Sequence, residues 1–251
     1  MSIASRRGRS GQILAVSALV IALIITSTAA YIYELSGNIG DADAHMLNDF
    51  ILSIELGSKH VVTGALANIT KGGENQMLET NLAAWSAIVE RQYLFGTFML
   101  NYTLYAVAPY VSGLYVNWGN NGSGVSEAYA DFQLNGSGKS VEMRFPFYVN
   151  VSSRLFTEGF ITEIAPSNKQ VTIDCRFFND GQPALAENMK FYYRESAQWI
   201  EASNNLVITD YGNGTYRATF TLETSLTSVD VSARFFDWRN ILVQANATCS
   251  E

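Results

Sequence analysis

Between Gln12 and Tyr33 the chain carries no charged side chain. Those 22 residues, wound as a helix at about 1.5 Å per residue, reach roughly 33 Å, close to the hydrocarbon thickness of a bilayer. The stretch from Ile13 to Ile25 is apolar apart from Ser17, and Tyr31 and Tyr33 fall where interfacial aromatics belong. A buried core helix would not need flanks this asymmetric. Arg6, Arg7 and Arg9 are the only charges ahead of the run; Glu34, Asp41 and Asp43 follow it, and the first lysine is Lys59. Basic residues are retained on the cytoplasmic side. The sequence therefore predicts a cytoplasmic arm over 1–11, a transmembrane helix over 12–33 in the lipid bilayer, and an extracytoplasmic remainder.

Three fates of the segment are open from its residues. It stays as an anchor; it is removed before Tyr31, where Thr28 and Ala30 supply the small side chains of a cleavage site; or it is processed and retained. The third reading comes from a likeness. "RRG" followed by a short polar stretch and "QILAVSALVIALI" resembles the class III signal of archaeal pilin-like proteins. That resemblance implies a cut after Gly8 and self-association of the apolar helix in a filament. This chain departs from the pattern in placing Arg9 at the start of the mature helix, with no glutamate after it.

Beyond residue 34, counting Glu34, the chain holds 13 basic against 23 acidic residues, a net charge of −10. No basic stripe exists of the kind nucleic acid requires, so that partner is excluded. Seven sequons lie past the apolar run, at Asn68, Asn101, Asn121, Asn135, Asn150, Asn213 and Asn246, and predict a glycosylated exterior. Cys175 and Cys249 form neither a CxxC motif nor a zinc knuckle. They read either as two unrelated thiols or as one disulfide; an outside location favours the bridge, which is the expectation here.

Apolar residues recur at helical spacing over 41–69 (Met46, Leu47, Phe50, Ile51, Ile54, Val61, Val62, Ala65, Leu66) and again over 74–94, with "KGG" between them. A juxtamembrane helical hairpin over 34–96 follows. After it come aromatic and β-branched segments separated by glycine-asparagine turns such as "GNNGSG", which predict a β-rich segment over 97–160 and a sandwich of short strands over 161–251. "FFNDGQPALAENMKFYY" followed by "DYGNGTYRATFTL" resembles the immunoglobulin-like repeats of prokaryotic surface adhesins. The resemblance implies an immunoglobulin-like sandwich, with Asp180, Gly181 and Pro183 in one turn and Gly212, Gly214 and Tyr216 in another, Tyr216 tucked against the sandwich edge. The fold expected is thus an N-terminal transmembrane helix, a helical hairpin, then mainly antiparallel β ending in that sandwich.

Chemistry is sparse. Asp41, Asp43, His45 and Asp49 gather in sequence, but helix positions two apart point away from each other, so a capping, solvated face is expected rather than a metal site. His60 reads as a helix-surface residue. No nucleophile, phosphate-loop or dinucleotide motif occurs in a usable context, so neither a catalytic role nor a cofactor is expected. Trp118, Trp199 and Trp238 read as core before they read as a sugar platform. The function expected is structural or adhesive at the cell surface, with a surface protein or glycan as partner. A pilin-like subunit and a membrane-tethered ligand sensor are the alternatives.

Overall fold

The computed structural model describes residues 42–91, 96–137 and 142–251, together with Ile25 and Thr28. The expected membrane span therefore lies outside the described residues, apart from Ile25 and Thr28, both helical, and so do Arg6, Arg7, Gly8 and Arg9. Among the described residues no helix is long and apolar enough to cross a membrane. The chain divides into two compact units, Met1–Ile54 and Glu55–Glu251.

Both expected helices form: α1 (Ala42–Ile69) and α2 (Met77–Glu90). From Glu55 onward α1 buries Val62, Ala65 and Leu66 of the face its periodicity predicted, with Val61 half-buried, and Ile69 besides. It ends where expected, with Gly73 N–H donating to Asn68 O at 3.1 Å. The indole Nε1 of Trp85 on α2 donates to Ser58 Oγ at 2.9 Å. Leu78, Leu82 and Val89 of α2 are buried, and the helix lies against β1.

Among the described residues twelve strands follow. The first four are β1 (Thr97–Leu104), β2 (Leu114–Trp118), β3 (Ser123–Ser137) and β4 (Glu142–Ala165). Then come β5 (Asn168–Asn179), β6 (Gln182–Pro183), β7 (Asn188–Glu195) and β8 (Gln198–Glu201). The last are β9 (Val207–Asp210), β10 (Thr215–Glu223), β11 (Ser228–Phe236) and β12 (Leu242–Ser250). Neighbours run β8-β7-β11-β12-β4-β5-β10-β9, with β3 also on β4 and both β1 and β2 on β3. Pairing is antiparallel except for one parallel bridge, Ser250↔Phe160, between β12 and β4. The mainly antiparallel β architecture matches the expectation.

The boundary expected at 160/161 falls inside β4. This strand pairs with β3 from Glu142↔Ser137 to Phe156↔Ser123 and with β5 from Ser153↔Asn179 to Ala165↔Asn168. One ladder hands over to the other within a single strand, so no linker separates the two parts. Alternation drives the core. β5, β10 and β11 each bury every second residue, and those side chains meet those of β4, β7 and β12 in one apolar cluster. Phe235 sits among three rings, with Tyr216, Phe177 and Phe191 at centroid distances of 5.2, 5.7 and 5.9 Å. Edge-to-face contacts of this kind add about 0.5–1.5 kcal/mol each beyond burial. Tyr216 is fully buried rather than tucked at an edge, and its Oη accepts the Ala186 N–H at 2.7 Å.

Asp180 and Gly181 take positive φ values of 48° and 78° between Asn179 and its partner Gln182, the hairpin geometry that an Asp-Gly pair favours. Asp180 is also one end of a buried clamp. Arg239 Nη1 donates to both Asp180 carboxylate oxygens at 3.0 Å, Nη2 to Ser152 O at 2.9 Å, and Nε to Asp237 Oδ2 at 2.7 Å. Asp237 is itself fully buried and accepts from Arg239 N–H and Ile241 N–H at 2.9 Å and from Ser153 Oγ at 3.0 Å. The clamp ties the turn after β5, the middle of β4 and the turn between β11 and β12. Lys59 of α1 joins it through Asp180 at 3.8 Å.

The bridge expected between Cys175 and Cys249 is not formed; both are free, buried thiols in the same core. The topology supplies the reason. Cys175 lies on β5 and Cys249 on β12, and β4 runs between those strands. Cys175 is paired with Thr157 of β4, while β12 bridges β4 only at Ser250↔Phe160, so the two thiols meet different residues of β4 rather than each other. Cys175 Sγ instead lies 3.6 Å from Thr157 Oγ1. Cys249 Sγ sits over Gly159, where a Cβ would approach it to 2.5 Å.

Candidate functional site

β3 sorts its side chains by parity. Ala128, Ala130, Phe132 and Leu134 are buried on one face, with Phe98 and Leu100 of β1. Glu127, Tyr129, Asp131, Gln133 and Asn135 take the other face. Register then sets rows across three strands: Thr103, Asp131 and Tyr148 lie side by side, as do Asn101, Gln133 and Pro146. Tyr115 of β2 lies opposite Glu127.

Five tyrosines converge on this face. Tyr129 and Tyr148 stack at 5.8 Å with 12° between their planes. Tyr105 lies 4.9 Å from Tyr129 and 5.3 Å from Tyr110, and Tyr110 lies 6.1 Å from Tyr115. The loop that brings Tyr110 over contains a cis Ala108–Pro109 bond. Tyr148 is 67% exposed, and Tyr105 is also open to solvent. Asn101, Thr103, Asp131, Gln133, Pro146 and Tyr148 border an open depression of about 390 Å³ beside the ladder.

A carboxylate anchors the ladder from beneath. The Glu127 side chain is only 3% exposed; it accepts from Tyr110 Oη at 2.6 Å and from Arg154 Nη2 at 3.0 Å. Tyr110 is held well above the ordinary phenol range, first by burial and then by its bond to Glu127. Tyr129, which donates to Asp131 Oδ1 at 3.1 Å, is raised for the same two kinds of reason. These phenols stay neutral and fixed, so each offers an apolar ring face with a polar rim. Only Tyr129 and Tyr148 lie near-parallel, at 12°, the other ring pairs being inclined by 53–81°; a cluster of such rings, flanked by amides, a carboxylate and a hydroxyl, suits a ligand with apolar C–H faces and hydroxyls around its rim.

The sequence-predicted residues scatter by comparison. Asn68, Asn101, Asn121, Asn150 and Asn213 are exposed and Asn135 is half-buried. Asn246 is 9% exposed, with its Nδ2 donating to Asn120 Oδ1 at 3.0 Å and its Oδ1 accepting from Gln244 Nε2 at 2.9 Å. It is the sequon this fold leaves least able to carry a sugar. Asn121 and Asn213 come together across a second groove of about 620 Å³, beside Asp174 and Arg217, which are paired at 2.7 and 2.8 Å.

Asp41 lies outside the described residues, while Asp49 and His60 are exposed on α1. Among the described residues no group of three or more His, Cys, Asp or Glu is placed to hold a metal ion. The three tryptophans sit on separate elements: Trp118 packs against the core, Trp199 on β8 is half-buried, and Trp238 is 75% exposed. Sequence reasoning missed the tyrosines. The one signal for them is density, because six of the thirteen tyrosines fall between residues 102 and 148. Comparison of the chain with family models, with curated proteins and with solved structures finds no match in any of the three.

Proposed function

We propose that this chain is a single-pass, membrane-anchored cell-surface protein with an adhesive, non-enzymatic role, and that its ligand is carbohydrate held on the tyrosine face. The arginine-flanked apolar run supports an anchor with a cytoplasmic N-terminus. The mainly antiparallel strands packed around Phe235 and the Asp-Gly hairpin support an immunoglobulin-like reading of the C-terminal part. The observation that carries the ligand class is the ladder itself: five tyrosine rings spaced 4.9–6.1 Å apart beside exposed Asn101, Thr103 and Asp131. Rigid aromatic side chains contribute most of the energy at recognition surfaces at small entropic cost. A pyranose ring matches such a surface by laying its C–H face on the phenols and its hydroxyls on the flanking polar groups.

The test uses the full chain in detergent micelles, without attached sugar, against an array of polysaccharides. Wild type is expected to retain at least one, and the Tyr105→Ala/Tyr148→Ala variant to bind it at least tenfold more weakly with an unchanged denaturation midpoint. Binding that survives the double substitution, or no retention by wild type, refutes the reading.

A further inference from the structure

The strand register places three of the seven sequon asparagines on the tyrosine face. Asn101 lies opposite Gln133, Asn135 opposite Arg144, and Asn150 opposite Tyr129. Asn150 has the closest relation to the rings. It follows Tyr148 by two residues on β4, so both side chains leave the same face about 7 Å apart along the strand, and Tyr129 stands about 5 Å across. Its chain neighbours Val149 and Val151 are buried on the opposite face, which fixes the direction Asn150 takes. The backbone beyond it is held as well, because Ser152 N–H donates to Asp180 Oδ1 at 2.9 Å and Ser152 O accepts from Arg239. An exposed amide thus projects beside the stacked Tyr129–Tyr148 pair.

Resting on the carbohydrate reading of this face, we infer that Asn150 is where binding is switched: a sugar attached there occupies the Tyr129–Tyr148 pair as an intramolecular ligand and excludes external polysaccharide. The attachment needs a phosphate-activated oligosaccharide donor. The Asn150 amide nitrogen forms its bond to C1 of the first sugar, the C1–O bond to the donor phosphate breaks, and the amide proton leaves with the released phosphate. Once attached, the sugar meets the rings at an effective concentration in the millimolar range or above. A contact too weak to hold a free monosaccharide then suffices to cover the pair. The same chemistry that makes the face a receptor makes its own sequon an inhibitor.

The experiment compares the full chain extracted in detergent from a glycosylating host with its Asn150→Gln and Ser152→Ala variants, and with Asn213→Gln as a control on the other groove. Peptide masses report occupancy at Asn150, hydroxyl-radical footprinting reports exposure of Tyr148 and Tyr129, and retention on the polysaccharide identified above reports binding. The expected result is that wild type carries a sugar at Asn150, shows Tyr148 at least fivefold protected and binds at least tenfold more weakly than Asn150→Gln or Ser152→Ala. Asn213→Gln is expected to behave as wild type. The proposal is overturned if Asn150 is unmodified, or if it is modified while Tyr148 is as exposed as in Asn150→Gln. If Tyr148 protection follows occupancy but no form binds polysaccharide, the covering of the pair stands and the receptor reading is what fails.

Discussion

Replacing Arg239 by methionine keeps most of the side-chain volume and removes the guanidinium donors of the clamp, leaving the Arg239 and Ile241 N–H groups and Ser153 Oγ on Asp237. Arg239 is 5% exposed and Asp237 fully buried, so the substitution strands a carboxylate in the interior without its counter-charge. Removing one partner of a buried ion pair costs about 3–5 kcal/mol. At roughly 2–4 °C per kcal/mol for a unit of this size, the melting temperature is expected to fall by about 6–20 °C. Asp180, the other acid on the same guanidinium, is 37% exposed, and water compensates for its loss. Asp180→Asn, which keeps a residue suited to positive φ, is therefore expected to cost about 1 kcal/mol or less. Urea denaturation of the full chain in detergent, followed by tryptophan fluorescence, measures both. The reasoning fails if Arg239→Met costs under about 1 kcal/mol, which would mean that the Arg239 and Ile241 N–H groups and Ser153 already satisfy Asp237. It fails equally if the two substitutions cost the same.

A Cβ at position 124 would stand 2.0 Å from Gln244 O and 2.7 Å from its carbonyl carbon, both backbone atoms of β12. Gly124→Ala is accordingly expected to lower stability by about 1–3 kcal/mol, read from the urea midpoint; an unchanged midpoint would show that β12 yields without cost. Burial pushes both thiols up to about 12, so native protein at pH 8 is expected to leave a disulfide-exchange reagent unreacted over minutes. Denaturation without reductant should then release two equivalents, and none would restore the bridge.

The two helices were legible because their apolar residues repeat at helical spacing and "KGG" stops the first of them. The Asp180–Gly181 hairpin was legible because only certain residues tolerate two consecutive positive φ angles. The continuity of β4 was not. Gly159 lies within it because the sulfur of Cys249 rests there, a requirement set by a strand ninety residues later. The cysteine pairing failed for a related reason, since two buried thiols are equally compatible with a bridge until the strand between them is known. The tyrosine face was invisible because its rings come from β2, β3, β4 and the loop between β1 and β2, and only register aligns them. Trp238 misled in the opposite sense: an aromatic in a β-rich segment suggests core, but this one caps the tip of the β11–β12 turn.

β4 is hydrogen-bonded to β3 along its first half and to β5 along its second, overlapping from Ser153 to Phe156. A load applied to the tyrosine face is therefore carried into the sandwich by one continuous run of covalent backbone rather than across a flexible joint. Four residues, Ser153 to Phe156, hold both ladders at once, so the handover is a splice within one strand instead of a pair of beads on a string.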